Sequence, residues 1–292
     1  MRSLALVFLT LALLAAPAYA QRAPDPTRWR QLDPESTLYI DTSRGRVVVE
    51  MYPEIAPNHV DRIRTLARRG FYNNLIFHRV IDGFMAQTGD PLGTGEGGSD
   101  LSDLDEEFLF RRGADMPFVE AALQGGARSG FFKTLPIETQ PDSQMAVTRD
   151  GRASAWGLHC PGVVSMARAE DVNSANSQFF IVRAAYPSLN KRYTIWGRVV
   201  FGLDIVQALN VGEPPANPDR MTNVRLASDV PDEERAPIYV MRTDSRDFRE
   251  LIQDTRRERG ADFHVCDVEI PTRVANTGER ERRWWSIIPF VN

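Results

Sequence analysis

"FHRVIDGFMAQTGDPLGTGEGG", residues 77–98, decides how this chain is read. It sets one arginine, Arg79, beside the apolar residues Phe77, Phe84 and Met85, adds one amide, Gln87, and ends in a glycine-studded tail. It offers no obvious nucleophile and no pair of catalytic carboxylates. A fixed cation next to an apolar pocket points to chemistry in which charge shifts within a bound substrate and no covalent intermediate forms. The tail "GTGEGG" taken alone looks like a phosphate loop. It lacks the Gly-Lys-Ser/Thr ending, and the acids of "SDLSDLDEEF" that follow it would repel phosphate, so turn chemistry is the better reading.

Working outward, "TLYIDTSRGRVVVEMYP" reads as two strands around a turn at Ser43–Gly45, with Pro53 ending the second. "APNHVDRIRTLARRG" reads as a helix, with Asn58 as its cap, Val60, Ile63 and Leu66 on one face and Gly70 as terminator. Short strand-like runs follow: "LIFHRVI", "FMAQTG", "GVVSMAR", "SQFFIVRA", "YTIWGRVV" and, after a second helix at "FGLDIVQALN", "NVRLASDV". Many short strands with few helices imply a mainly β chain, either a closed antiparallel barrel or a sandwich. Beyond Pro231 the pattern becomes strand, helix, strand, with Ser245 as cap, Phe248, Leu251 and Ile252 as the apolar stripe and Gly260 after the end. Residues 231–292 thus form a small α+β extension, too short to fold comfortably alone and expected to dock on the barrel.

Bulk properties narrow the function. The 292 residues are 42% hydrophobic and carry a net charge of −4, which excludes a basic nucleic-acid surface. Arg2, an apolar run and small residues at Ala18 and Ala20 predict a signal peptide over residues 1–20, cleaved after Ala20. The run is too short for a membrane span. Export to a bacterial periplasm is the first expectation, and a secretory lumen or the extracellular space the second. There, Cys160 and Cys266 either form one bridge or remain two thiols. His159, Cys160, His264 and Cys266 lack the spacing of structural zinc sites, and Asp100, Asp103, Asp105, Glu106 and Glu107 lack that of a calcium loop and read as a solvated acidic turn. No metal site is predicted.

The central motif, with "GFYNNLIFHRV" before it, then "GVVSMARAEDVNSANSQFFI" and "YTIWGRVV", closely resembles the cyclophilins, peptidyl-prolyl cis/trans isomerases built on a closed eight-stranded antiparallel barrel capped by two helices. The resemblance runs from about Thr37 to Val230, with residues 1–20 as signal, 21–36 as an N-terminal lead and 37–230 as the barrel domain. It implies that Arg79, Phe84 and Gln87 are catalytic. It further implies that Met85, Ala167, Arg168, Gln178, Phe180, Leu189 and Tyr193 bind substrate, Arg168 chiefly through its main chain. Phe77, Phe179 and Ile181 are expected in the barrel interior, and His78 in a packing role. The implied partners are proline-containing unfolded or partly folded polypeptides, with no cofactor. The chemistry fits these residue types. Rotation about an X-Pro amide faces a barrier of about 18–20 kcal/mol and takes tens to hundreds of seconds unaided, yet nothing covalent breaks. A guanidinium can stabilise the twisted amide without exchanging protons.

Departures from the family pattern are Tyr193 in place of a common histidine, Ser188 in place of the tryptophan of cyclosporin-sensitive members, and Arg168 in place of asparagine. Activity should survive the first, weak cyclosporin binding is expected from the second, and the third could bias nearby substrate residues toward acids. The largest departure is an insertion at about 108–160, which could be a lid, a second surface for unfolded chains or a docking surface for the extension. A retained barrel serving as a non-catalytic chaperone or protein-binding module is the alternative to an enzyme.

Overall fold

The computed structural model of the chain describes residues 23–275 apart from 125, 126 and 233; residues 1–20, expected to be a signal peptide cleaved after Ala20, and residues 276–292 lie outside the described residues. The lead contributes β1 (Trp29–Gln31), followed by β2 (Thr37–Thr42), β3 (Gly45–Met51), α1 (Pro57–Arg68), β4 (Arg79–Ile81) and β5 (Met85–Thr88). The insertion holds β6 (Phe110–Arg112), β7 (Val119–Gln124), β8 (Ala127–Phe132), β9 (Leu135–Thr139) and β10 (Ala153–Gly157). Then come β11 (Val163–Met166), β12 (Phe179–Val182), β13 (Ile195–Phe201), α2 (Leu203–Gln207), β14 (Met221–Leu226), β15 (Ile238–Met241), α3 (Arg246–Arg259) and β16 (Thr272–Val274).

Eight strands form one antiparallel sheet in the order β14-β2-β3-β13-β11-β12-β5-β4. The sheet curls strongly, and its outer strands β4 and β14 share no ladder. The seam is crossed just before β4, by a bridge between Ile76 and Arg220 and by bonds from Phe77 N to Asp219 O and from Met221 N to Leu75 O, both 2.8 Å. The closed barrel read from the sequence is therefore a curled sheet stitched at its edge, because β4 has only three residues to offer. Inside lies a core of Leu38, Ile40, Val49, Leu66, Phe77, Val80, Ala86, Phe179, Ile181 and Trp196, closed on one side by α1.

Helix α1 lacks the expected Asn58 cap. Its N-cap is Ala56, which makes no side-chain bond. The Glu107 carboxylate reaches in from the segment after the glycine loop and accepts the amides of Asn58 and His59 at 3.2 and 3.1 Å, meeting the need of exposed helix-end donors from outside. Glu107 is thus no part of a solvated turn. Burial raises the affinity of its carboxyl for a proton, but the bonds from His59 and these amides win and hold it below the usual range.

The insertion is a structured unit, a five-stranded antiparallel sheet in the order β6-β10-β9-β8-β7. The lead and the extension share a third sheet, β1-β15-β16, so the two segments treated separately in the sequence meet in space. This sheet packs Leu32, Ile238 and Val240 against Tyr39 and Val48, residues of β2 and β3 that point away from the barrel interior. Ser245 caps α3 by accepting Phe248 N at 3.1 Å. The α3 side chains Phe248 and Ile252 pack into the insertion's apolar cluster, with the Phe248 ring edge-on to Phe131 at 5.2 Å. Extension therefore docks on insertion as well as on barrel. Cys160 and Cys266 form a disulfide across the same junction, with Cα atoms 5.1 Å apart. No helix among the described residues is long and apolar enough to cross a membrane.

Candidate active site on the outer face of the barrel

Strand alternation builds the site. Residues i and i+2 share a face, so Val80, Ala86, Phe179 and Ile181 enter the barrel core while Ile81, Met85, Phe180 and Val182 belong to a second apolar cluster outside it. On this outer face the register aligns Arg79 with Gln87 and Gln87 with Phe180. One row across three strands therefore carries a guanidinium, an amide and a phenyl ring.

Around that row the structure gathers the remaining residues singled out above. Gln87 Nε2 donates to Gln178 Oε1 at 2.9 Å, and Gln178 Nε2 donates in turn to Gly95 O and Gly97 O, both at 2.8 Å. The amide pair is held by the glycine loop. Ala167 N donates to Gln178 O at 2.9 Å, which closes the row's other flank. Met85 and Phe180 are buried and Leu189 is 9% exposed, so they form an apolar floor with the half-buried Phe84, Ala167 and Tyr193 packed against it. The Tyr193 ring meets Phe180 edge-on at 5.7 Å. Arg168 spreads over Tyr193, 4.7 Å from its centroid, and its Nε and Nη1 donate to the carbonyls of Arg192, Ala169 and Glu170. Much of its donor capacity is taken up in holding that pose.

The glycine loop is an amide nest with an internal occupant. The Asp90 carboxylate accepts Leu92 N at 2.7 Å, Thr94 N at 2.8 Å and Gly95 N at 2.6 Å. Burial works against the charged form, yet these amides hold the carboxyl below its usual range. A Cβ on Gly97 would collide with Asp90 Oδ1, which is why glycine stands there. The positions a phosphate would occupy are filled by the chain itself.

Several neighbours escaped the sequence reading. Glu213 Oε2 accepts Arg79 Nε at 2.5 Å, and Gly212, next to it, exchanges two backbone bonds with Val80 at 2.8 and 2.9 Å. Tyr186 lies 4.3 Å, ring to ring, from Phe84. His159, at the end of the insertion, is stacked 6.2 Å from Phe180. Its Nδ1 sits 3.0 Å from Asn190 Oδ1 and its Nε2 3.3 Å from Ser165 Oγ. Burial lowers its pKa to about 4 against the opposing pull of Asn190, so at neutral pH it is an uncharged wall. Tyr186 and His159 border recognisable stretches, "AYPSL" and "GLHCPGVV", but their contacts depend on folding. Ser188 is exposed. His78 is buried with both ring nitrogens unpartnered, and burial depresses its pKa.

The family model for cyclophilin type peptidyl-prolyl cis-trans isomerases matches residues 37–228. A probable peptidyl-prolyl cis-trans isomerase of Brucella suis is 34% identical over 203 residues, spanning 68% of this chain and 86% of that protein. The peptidyl-prolyl cis-trans isomerase-like 1 of Aspergillus oryzae is 34% identical over 59% of this chain and 80% of its own length. The crystal structure of cyclophilin AquaCyp293 from Hirschia baltica superposes with a TM-score of 0.80 at 39% identity, covering 86% of this chain and 94% of its own. That share exceeds the stretch matched by the family model, so the likeness takes in part of what lies outside residues 37–228. The chain belongs to the cyclophilin-type peptidyl-prolyl cis-trans isomerases.

Proposed function

We propose that the chain accelerates X-Pro rotation in exported, folding polypeptides by arginine-assisted twisting of the amide. The observation that supports this most directly is the Arg79–Gln87–Phe180 row. A prolyl ring seated on Phe180, Met85 and Leu189 is gripped by apolar contact, while Gln87 and Gln178 align the peptide backbone. Arg79 then donates to the prolyl nitrogen, whose lone pair is released only in the twisted state. A bond made only there lowers the barrier and does not deepen the ground state.

Glu213 has a positioning role in this reading. It engages Nε of Arg79, leaving the Nη groups to face substrate, and it rides on a loop bonded to the neighbouring residue Val80. An ion pair so exposed, 40% for Arg79 and 52% for Glu213, adds little stability; its use is orientation. The signal segment and the Cys160–Cys266 bridge support an exported setting. Ser188, which brings no indole to the pocket rim, supports weak cyclosporin binding.

A protease-coupled assay on an Ala-Pro peptide tests the reading. Removing a transition-state donor costs about 10²–10³-fold, so Arg79→Ala should lower kcat/KM by that order with thermal stability unchanged. An Arg79→Ala variant as active as wild type would sink the arginine mechanism. No acceleration by the wild type would return the chain to a binding module.

A further inference from the structure

Among the large apolar side chains exposed in the described residues, Tyr186 is the only aromatic one, at 40%. It lies against Phe84, which is itself only half-buried, with ring centroids 4.3 Å apart and planes inclined at 42°. Phe84 in turn packs against the apolar cluster that holds Met85, Phe180 and Leu189. The open side of this ring pair is therefore continuous with the candidate proline pocket. Apolar area left in water is area that a bound side chain can cover with gain.

The backbone under both rings is tied down. Tyr186 precedes the 3-10 turn Pro187–Leu189, the turn that delivers Leu189 to the pocket floor. Its N donates to His159 O at 2.9 Å, and its O accepts Leu189 N at 3.2 Å. His159 also grips the far end of this segment, reaching Asn190 Oδ1 from its backbone N at 2.9 Å and from Nδ1 at 3.0 Å. The end of the insertion thus clamps the segment 186–190 at both ends. Phe84 O accepts Arg183 N at 2.8 Å and Ala184 N at 3.4 Å, which joins the turn before β5 to the exit of β12.

Strand register sets the direction. Strands β5 and β12 pair Phe179 with Thr88, Phe180 with Gln87 and Val182 with Met85. Gln178 and the glycine loop lie past the Phe179–Thr88 end, whereas Phe84 and Tyr186 lie past the Val182–Met85 end. A peptide laid along these strands, with its proline over Phe180 and Met85, carries one neighbouring residue toward Gln178 and the other toward Tyr186. We propose that Tyr186 and Phe84 form an aromatic subsite for a large apolar or aromatic side chain next to the substrate proline. This inference rests on the seating of the prolyl ring proposed above, and it names a substrate class. Apolar stretches are those that folding buries, so the favoured prolines are the ones reachable only while a chain is unfolded or partly folded.

The test measures cis/trans exchange by NMR, with no coupling protease, on the full-length chain and the peptides Ala-Xaa-Pro-Ala and Ala-Ala-Pro-Xaa, where Xaa is Phe, Leu or Ala. At one of the two positions Phe and Leu should raise kcat/KM about three- to tenfold over Ala, the range expected for covering apolar area on a ring pair. The position that responds identifies which neighbour of the proline faces Tyr186. Tyr186→Ser should abolish that preference and Tyr186→Phe should keep it. A ratio between peptides cancels any general loss of activity, so a merely structural ring would lower all rates together and leave the ratio alone. An unchanged ratio in Tyr186→Ser, a ratio lost in Tyr186→Phe, or no dependence on Xaa in the wild type overturns the subsite and leaves the isomerase reading standing. A wild type that accelerates none of the peptides overturns that reading and the subsite with it.

Discussion

Strands β4, β5 and β12 have two faces that do opposite work. On the inner face Val80, Ala86, Phe179 and Ile181 join the barrel core. On the outer face Arg79, Gln87 and Phe180 form a row whose apolar end shares a cluster with insertion and extension residues. One face is closed packing and the other a surface with charge at one end and a ring at the other. Two adjacent phenylalanines, Phe179 and Phe180, therefore answer to different demands.

Substitution separates the two. Phe179→Ala should destabilise the chain by about 3–5 kcal/mol, the usual cost of emptying a buried phenyl site, with activity per folded molecule retained. Phe180→Leu keeps an apolar side chain and should cost only about 1 kcal/mol in stability. It should nevertheless lower kcat/KM about tenfold, equivalent to ~1.4 kcal/mol of lost grip. Urea unfolding and the coupled assay measure the pair, and equal effects on both readouts would erase the distinction between faces.

The outer face also carries a pH dependence. His159, with a pKa of about 4 in the fold and an unfolded value near 6.5, is a base whose proton affinity folding depresses. Between those values the unfolded chain binds the proton and the folded chain does not, so stability is full above about pH 6.5 and falls as pH drops toward 4. The loss approaches ~3 kcal/mol. Buried His78, shifted in the same direction, adds to it. Tm measured against pH should flatten in His159→Gln, leaving the share of His78 and, below about pH 4.5, that of the depressed Asp90 and Glu107 carboxyls; an unchanged slope between about pH 6.5 and 4.5 would show that the stacked imidazole is not responsible.

The smallest effect is expected at the charged end of the row. Glu213→Gln keeps an acceptor for Arg79 Nε but removes the charge, and should lower kcat about two- to fivefold with KM little changed, in keeping with the roughly 1 kcal/mol such exposed pairs contribute. Glu213→Ala should lower it further and shift the Arg79 Nε–H resonance. A KM effect alone would make Glu213 a substrate contact and not a positioning residue.

Sequence reasoning reached the two faces because each rests on local order. Period-two alternation is written into "FHRVI", "FMAQT" and "SQFFIV", and family motifs carry Arg79, Gln87 and Phe180 at their places in those runs. What it missed depends on distance along the chain. Glu213 meets Arg79 across 134 residues, and the Glu107 carboxylate that caps α1 comes from 48 residues away. The insertion's strands were hidden for another reason. Gly130 and Pro136 interrupt β8 and β9, and both residues argue against a strand when neighbouring strands cannot be seen. In the sheet, Gly130 makes sense because a Cβ there would strike the backbone of Val119 and Glu120.

The Cys160–Cys266 bond spans 106 positions and turns the stretch between them into a covalent ring. That ring contains β11, β12 and β13 with Phe180 and Tyr193, together with Glu213, whereas Arg79 and Gln87 lie on the open arm before it. A single protease cut inside the ring leaves every piece attached, and a cut before it releases the arm that bears the arginine. Wherever a protease reaches the chain, the two halves of the candidate site differ in what one nick can remove.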